Sequence, residues 1–173
     1  METIKLFKLF LSTPSDVAEE RVVISGLIDE WNVQHGGPIH IRVELIHWST
    51  HTFPTTGRRA QAAINQQAFD KSDIVVGIFW SRFGPPTGHY GSGTEEELRR
   101  GIAQKKQVMV YFSRCRAPKT PLLQYSKIEA FKRKLGKHAL YCEYSDLHSF
   151  EQFFRNHLAL VMQNLQKKAK RGK

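Results

Sequence analysis

Residues 73–80 place the tightest constraint on what this chain can fold into. Their sequence, Asp-Ile-Val-Val-Gly-Ile-Phe-Trp, is almost continuously apolar after the first position. A run of this length without alternation is typical of a central strand in a parallel sheet, because helices cover both faces of such a sheet. The sequence therefore predicts an α/β fold in which strands and helices follow one another along the chain.

Further strands and helices are predicted on either side of this run. Apolar segments predict strands at 4–11, 39–48, 108–112 and 139–142. Helical spacing and helix-start residues, with Thr13 as a candidate cap for the first, predict helices at 14–33, 58–69, 93–105, 118–135 and 146–167. Such alternation implies parallel strands with right-handed crossovers. For five strands we expect a flavodoxin-like three-layer sandwich with strand order 2-1-3-4-5.

The composition fits one domain that needs neither disulfides nor a metal. The chain has 173 residues, of which 40% are hydrophobic and 24% charged, as in ordinary globular proteins. Its first residues include no apolar stretch long enough for a signal peptide or a membrane span. Cys115 and Cys142 lie far apart, without metal-binding spacing. We expect a cytoplasmic protein with buried, reduced thiols, no metal and no membrane contact.

The net charge is unevenly distributed along the chain. The formal charge is +10, and residues 167–173 carry five of the positive charges. We therefore divide the chain into a domain at 1–166 and a basic tail or linker at 167–173, which could lead to further domains. The mildly basic remainder suits an anionic ligand, and nucleic acid is not the expected partner.

The predicted topology selects the candidate binding residues. In the order 2-1-3-4-5, ligands bind outside the carboxyl ends of the first and third strands. Hydroxyl side chains follow the first strand, and together with helix-start amides they can hold a phosphate. Aromatic and basic side chains follow the third strand, before the next helix begins. The candidates for binding are Ser12, Thr13, Ser15, Trp80, Ser81, Arg82, Phe83 and Thr94.

Two well-known classes of protein with this fold do not match these residues. A phospho-receiver needs acidic residues after the first strand and an aspartate at the end of the third, where this chain has hydroxyl and aromatic residues. A flavodoxin needs a phosphate loop with Ser and Thr around a glycine, and residues 12–15 contain no glycine. We therefore do not expect a flavin cofactor.

The helix predicted at 93–105 begins with three glutamates that differ in their neighbours. Residues four apart lie on one face of a helix. By this spacing Glu95 faces Arg99 and Glu96 faces Arg100, which predicts two exposed ion pairs.

The third glutamate, Glu97, faces glycine instead of arginine. Gly93 precedes it by one turn and Gly101 follows it by one turn, so little side-chain bulk surrounds its carboxylate. The nearby positive end of the helix dipole favours the ionised form. Two interpretations remain open from spacing alone: a functional carboxylate that faces a pocket, or a surface acid beside glycines that allow close packing of helix and sheet.

Three segments together resemble a known group of domains. They are Phe-Leu-Ser-Thr-Pro-Ser-Asp-Val at 10–17, the stretch 70–84 around the central strand, and Ser-Gly-Thr-Glu-Glu-Glu at 92–97. They resemble the TIR-like domains of unknown function at the N-termini of bacterial NTPase and defence proteins, over roughly residues 4–145. Residues 92–103 also resemble nucleoside deoxyribosyltransferases.

The resemblance implies a catalytic role for Glu97. In TIR NADases and in those transferases the functional glutamate lies on the helix after the third strand, a position that falls on Glu97 here. It implies cleavage of the nicotinamide–ribose bond of NAD+, by hydrolysis or by cyclisation of ADP-ribose, in bacterial defence or signalling. NAD+ is then a substrate, and no resident cofactor is expected. The hydroxyls at 12–15 would receive its phosphates, and Trp80, Arg82 and Phe83 would line the base or ribose.

The chemistry of the leaving group favours NAD+ over nucleosides. Nicotinamide leaves as a neutral molecule and needs no proton, so one ionised glutamate suffices, whereas a purine usually needs an acid as well. Two alternatives stay open. The domain could be a non-enzymatic self-association module, or it could transfer bases between nucleosides. The expected partners are therefore NAD+ or a related nucleotide and further copies of the chain.

Overall fold

A computed structural model describes residues 3–46, 68–115 and 121–171 of the chain. One parallel sheet with the order β2-β1-β3-β4-β5 forms its centre, as predicted. Its strands are β1 (Lys5–Ser12), β2 (Ile41–Ile46), β3 (Ile74–Phe79), β4 (Gln107–Ser113) and β5 (Cys142–Tyr144). The predicted central strand is β3, and all six of its residues are buried.

Four α-helices flank the sheet within the described ranges. They are α1 (Ala18–Trp31), α2 (Gly93–Ala103), α3 (Leu122–Leu135) and α4 (Leu147–Arg171). None of the helices in these ranges is long and apolar enough to cross a membrane. The helix predicted at 58–69 falls almost entirely outside the described residues, as does the end of the strand predicted at 39–48.

The two faces of the sheet bury separate apolar cores. Alternate residues of β1 and β3, such as Leu11 and Ile78, pack with α1 and α4. The intervening residues, such as Phe10 and Phe79, pack with α2 and α3. Because successive side chains of a strand point to opposite faces, the continuous apolarity of β3 reflects cover on both sides. This arrangement is the predicted three-layer α/β fold.

The start of the first helix differs from the prediction. The helix begins at Ala18, and Val17 occupies the N-cap position without a side-chain hydrogen bond. Thr13 is therefore not the cap, and its hydroxyl instead accepts a hydrogen bond of 2.9 Å from Nε of Arg21. Ser15 and Asp16 form a turn before α1, and Asp16 is bonded to Ser81 and Arg82, which follow β3.

The last strand and the last helix are also shifted from their predicted positions. The apolar residues at 139–142 predict the fifth strand there, but Leu140 is 97% exposed and the strand begins at Cys142. Tyr144, which is buried, supplies the inward-facing residue instead. Helix α4 continues to Arg171, so most of the predicted basic tail is helical.

The two cysteines are free, as predicted, but they are only partly buried. Burial nevertheless raises the pKa of the Cys142 thiol.

Candidate active site at the carboxyl ends of the strands

A buried pair of polar side chains lies where β1 ends beside the start of α2. Glu97, on the second turn of α2, is 6% exposed, and Ser12, the last residue of β1, is 2% exposed. The Ser12 hydroxyl donates a hydrogen bond to Oε2 of Glu97. The two residues are 85 positions apart in the chain, so the pair exists only through the tertiary structure.

The packing of α2 on the sheet brings Glu97 to this position. Ser12 follows Phe10 on the face of β1 that α2 covers, and its neighbour on β3 is Gly77. Leu98 of α2 packs directly over Gly77, where an added Cβ would lie 2.7 Å from its methyl carbons. Because Gly77 has no side chain, α2 approaches β3 closely and its second turn reaches the end of β1.

The start of α2 is ordered by its own cap. Ser92 is the N-cap residue, and its hydroxyl accepts a hydrogen bond of 3.1 Å from the amide of Glu95. Thr94, a predicted site residue, is buried three residues before Glu97. Residues three apart share a helix face, so Thr94 and Glu97 belong to the same side of α2, near its positive end.

The first of the other two glutamates behaves as predicted. Glu95 and Arg99 form an ion pair of 2.8 Å. The predicted pair of Glu96 with Arg100 is not among the ion pairs of the described residues. Arg100 binds Asp70 at 2.8 Å, and Oε2 of Glu96 accepts a hydrogen bond of 2.6 Å from Thr87. Arg100 turns away because a carboxylate from the segment before β3 lies within its reach.

The glycine stripe along α2 is only partly as predicted. A Cβ at Gly101 would lie 3.1 Å from Val108 and 3.4 Å from Val75. Gly101 therefore faces the sheet, and its lack of a side chain serves close packing of helix and sheet. For this glycine the packing interpretation is the correct one, and it does not open a space beside Glu97.

Asp16 joins the loops that follow β1 and β3. Its Oδ2 accepts hydrogen bonds from the amide of Ser81 (2.8 Å), the hydroxyl of Ser81 (2.9 Å) and the amide of Arg82 (2.9 Å). The guanidinium of exposed Arg82 also donates to the Ser15 hydroxyl at 3.2 Å. The structure thus brings three predicted site residues, Ser15, Ser81 and Arg82, together.

The sequence pattern did not indicate Asp16 as an organising residue of the site. A signal for this role was nevertheless present in the sequence, because Asp16 is an acidic residue in the loop after the first strand. In this fold the loop after the third strand lies opposite, and its backbone amides can bind a carboxylate.

Two predicted aromatic residues pack against the cores on the two faces of the sheet. Phe83 is 3% exposed, and its ring packs between Phe79 and Phe131 at centroid distances of 5.5 and 5.8 Å. The Phe83 ring is thus part of the core, because the loop folds back and inserts it there, and its predicted contact with a base or ribose stays a prediction. Trp80 packs on the opposite face of the sheet, against the core of α1 and α4.

Three cavities are lined by described residues, and Glu97 lines none of these three. The one that Trp80 lines has a volume of about 330 Å³. In the described ranges no group of three or more His, Cys, Asp or Glu side chains is arranged to hold a metal ion.

These features define a class of protein. A parallel sheet of order 2-1-3-4-5 with a buried carboxylate at the carboxyl ends of its strands is a flavodoxin-like α/β domain with a candidate site at the usual edge of the sheet. The model of one family, described as a domain of unknown function (DUF4062), matches residues 8–159. The chain belongs to this family.

Comparison with curated proteins and solved structures supports the fold but shows no function. A search of the curated proteins found no match to the chain. Among solved structures, the rubredoxin oxygen:oxidoreductase of Desulfovibrio gigas is similar, with a TM-score of 0.50 and 10% identity. The match covers 97% of this chain but only 38% of that oxidoreductase. Flavodoxin 1 of Bacillus cereus gives a TM-score of 0.42 and 14% identity, over 92% of this chain and 97% of that one.

Proposed function

We propose that this domain is a TIR-like enzyme that cleaves the N-glycosidic bond between nicotinamide and ribose in NAD+. Glu97 is the catalytic carboxylate, and Ser12 positions it. The observation that carries the proposal is the burial of Glu97 at the carboxyl end of β1, with a hydrogen bond from the Ser12 hydroxyl. It lies on the helix where the resemblance to TIR NADases puts the functional glutamate.

The burial of Glu97 needs an explanation beyond packing. Taking a carboxylate out of water is costly unless hydrogen bonds compensate it. An apolar residue on this face of α2 would need no such hydrogen bonds, as Leu98 next to it needs none. A carboxylate retained at the ligand-binding edge of this fold is therefore best explained by a function.

The proposed reaction needs one negative charge at the site. The bond between the anomeric carbon and the ring nitrogen breaks, and its electron pair goes to the nitrogen, which neutralises the pyridinium. The ribose is left as an oxocarbenium-like cation, which the carboxylate of Glu97 stabilises by charge or by covalent capture. Water, or the adenine of the same molecule, then attacks the anomeric carbon.

The phosphates of the substrate would be held by the loops after β1 and β3. Arg82 is exposed and its guanidinium already contacts the Ser15 hydroxyl. Guanidinium groups and hydroxyls are suitable donors to phosphate oxygens. Asp16 fixes the backbone of the Arg82 loop through the bonds to its Oδ2. This edge of the sheet thus offers a cationic group on a backbone that is held in place.

The test is NAD+ turnover by concentrated protein, followed by chromatography of nicotinamide and ADP-ribose. We expect Glu97→Gln to lower turnover at least about a hundredfold, as loss of a charge-stabilising group does in other enzymes. Glu95→Gln is the matched control, because it removes the same charge from the same helix at an ion-paired position. Turnover that survives in Glu97→Gln would exclude the proposed role. Exchange of bases between deoxynucleosides, with no action on NAD+, would replace the proposal by nucleoside transfer.

A second candidate function is self-association without catalysis. It is favoured by three exposed apolar side chains at the start of α3, Leu122, Leu123 and Tyr125. Clustered exposed apolar residues often mark contact surfaces. Absence of turnover at every concentration, together with oligomers that Leu123→Ser disrupts in analytical ultracentrifugation, would favour this function.

A further inference from the structure

A second concave site lies on the face of the sheet opposite to Glu97. It is a cavity of about 330 Å³ between the start of α1, the ends of β3 and β4, and the start of α4. This volume is within the range of small-molecule sites in proteins. Three acidic residues, Asp16, Glu19 and Glu20, line this cavity together with Trp80.

The carboxylates of this cavity are not neutralised by the described part of the chain. Glu20 is 8% exposed and accepts a hydrogen bond of 2.6 Å from the hydroxyl of Tyr144. Burial raises the pKa of Tyr144, so this hydroxyl keeps its proton. Oδ1 of Asp16 is buried without a hydrogen-bond partner. In the described ranges no lysine or arginine forms an ion pair with Asp16 or Glu20, although the whole chain carries a net charge of +10.

The ligand that suits this charge is larger than a metal ion. Within the described residues these acidic groups do not converge into a metal-binding cluster. The indole nitrogen of Trp80 donates a hydrogen bond of 3.0 Å to the carbonyl of Cys115, which fixes the ring in the wall. An aromatic ring beside uncompensated carboxylates is the arrangement that binds organic cations, through cation–π attraction and charge.

We propose that the cavity bounded by Asp16, Glu20 and Trp80 binds an organic cation that carries a guanidinium or primary ammonium group. The cation neutralises buried Glu20 and partly buried Asp16, whose Oδ1 has no hydrogen-bond partner, and it packs against the indole. The same group can come from a free small molecule or from an arginine side chain of a peptide. This site does not include Glu97, but it shares Asp16 with the loop that carries Arg82.

The experiment uses agmatine as the probe, with pentylurea as a neutral compound of similar shape. Binding is measured by calorimetry and by the ¹H–¹⁵N signal of the Trp80 indole, which is assigned by its loss in Trp80→Phe. We expect agmatine to bind and to shift this signal, and pentylurea to do neither. We expect Glu20→Gln to weaken binding at least about tenfold. Asp29→Asn removes the same charge from an exposed position of the same helix and should leave binding unchanged.

The outcomes separate the sources and can overturn the proposal. If N-acetyl-arginine methylamide binds more tightly than agmatine, the cation comes from a peptide. If agmatine binds and N-acetyl-arginine methylamide does not, the cation is a free small molecule. No shift of the Trp80 signal with any cation, or equal shifts with pentylurea, would overturn the proposal. If Glu20→Gln does not fold, the proposal is still tested in the wild-type protein, by comparing the shifts that agmatine and pentylurea cause in the Trp80 indole signal.

Discussion

At the scale of single residues, two buried glutamates each accept a hydrogen bond from a buried hydroxyl. The Ser12 hydroxyl donates to Glu97, and the Tyr144 hydroxyl donates to Glu20. A neutral donor satisfies one oxygen of a carboxylate without cancelling its charge, in contrast to a paired arginine. The hydroxyl of Tyr144 adds no positive charge beside Glu20, and the proposal for a cation site uses this property.

Phe83 is the residue whose role changes most between sequence and structure. We expect Phe83→Ala to lower the free energy of unfolding by about 3–5 kcal/mol, because the ring is removed from a packed core. Urea unfolding measures this loss, and the KM for NAD+ should stay unchanged in the folded variant. Phe153→Ala is the control, since Phe153 is partly exposed on α4 and should cost much less. A raised KM with unchanged stability would return Phe83 to the substrate site.

At the scale of elements, the contact of α2 with β3 decides where the candidate site forms. The glycines at 77 and 101 let Leu98 and the backbone of α2 lie close to the sheet. A larger residue at either position would push the helix outward and separate Glu97 from Ser12. The site therefore depends on residues that carry no functional group of their own.

Gly77→Ala tests this contact. Its new Cβ would lie 2.7 Å from both methyl carbons of Leu98, so we expect a loss of about 1–3 kcal/mol in the free energy of unfolding. The matched control is Gly26→Ala at an exposed position of α1, where nothing lies within 4 Å of the new Cβ. At this position alanine should raise the free energy of unfolding by about 0.5–1 kcal/mol, because glycine loses more backbone entropy than alanine when the helix forms. Equal effects of the two substitutions in urea unfolding would refute tight packing at Gly77.

At the scale of the whole molecule, stability is coupled to pH through the packing of α4 on the sheet. Nδ1 of His157 lies 2.8 Å from the hydroxyl of Tyr111. Burial raises the pKa of Tyr111, so its hydroxyl stays protonated and can donate to the neutral imidazole. Burial also lowers the pKa of His157 below its ordinary value of 6.5. Protonation of this ring therefore opposes folding.

The sign of the pH effect follows from this lowered pKa. As the pH falls through about 6.5, His157 takes up a proton in the unfolded chain but not in the folded protein. The free energy of unfolding therefore decreases with falling pH until the pH passes the lowered pKa of His157 in the folded protein. Urea unfolding between about pH 8 and pH 5 measures the slope. We expect His157→Gln to make the decrease shallower, while His148→Gln, at an exposed position of the same helix, should not. An unchanged slope in His157→Gln would show that other groups carry the effect.

Much of the architecture could be predicted from the sequence because it rests on local patterns. The apolar run of β3 requires cover on both faces, and the alternation of strands with helices limits the sheet to a few parallel topologies. The position of Glu97 on the helix after β3 followed from the same pattern. The start of α1 and the position of β5 were less accurate, because contacts of Asp16 and Tyr144 with distant segments override local preference.

The sequence alone determined the fold class, the strand order and the helix that carries Glu97, since periodicity and chain connections are properties of neighbouring residues. Which side chains meet depends on how the folded elements pack together. In the folded chain Glu97 is paired with Ser12, and the ring of Phe83 packs in the core. Trp80 lies on the opposite face of the sheet, and Asp16 links two loops. The physical reason is that these contacts depend on how closely α2 and the loops approach the sheet, and that distance is set by packing between residues far apart in the chain.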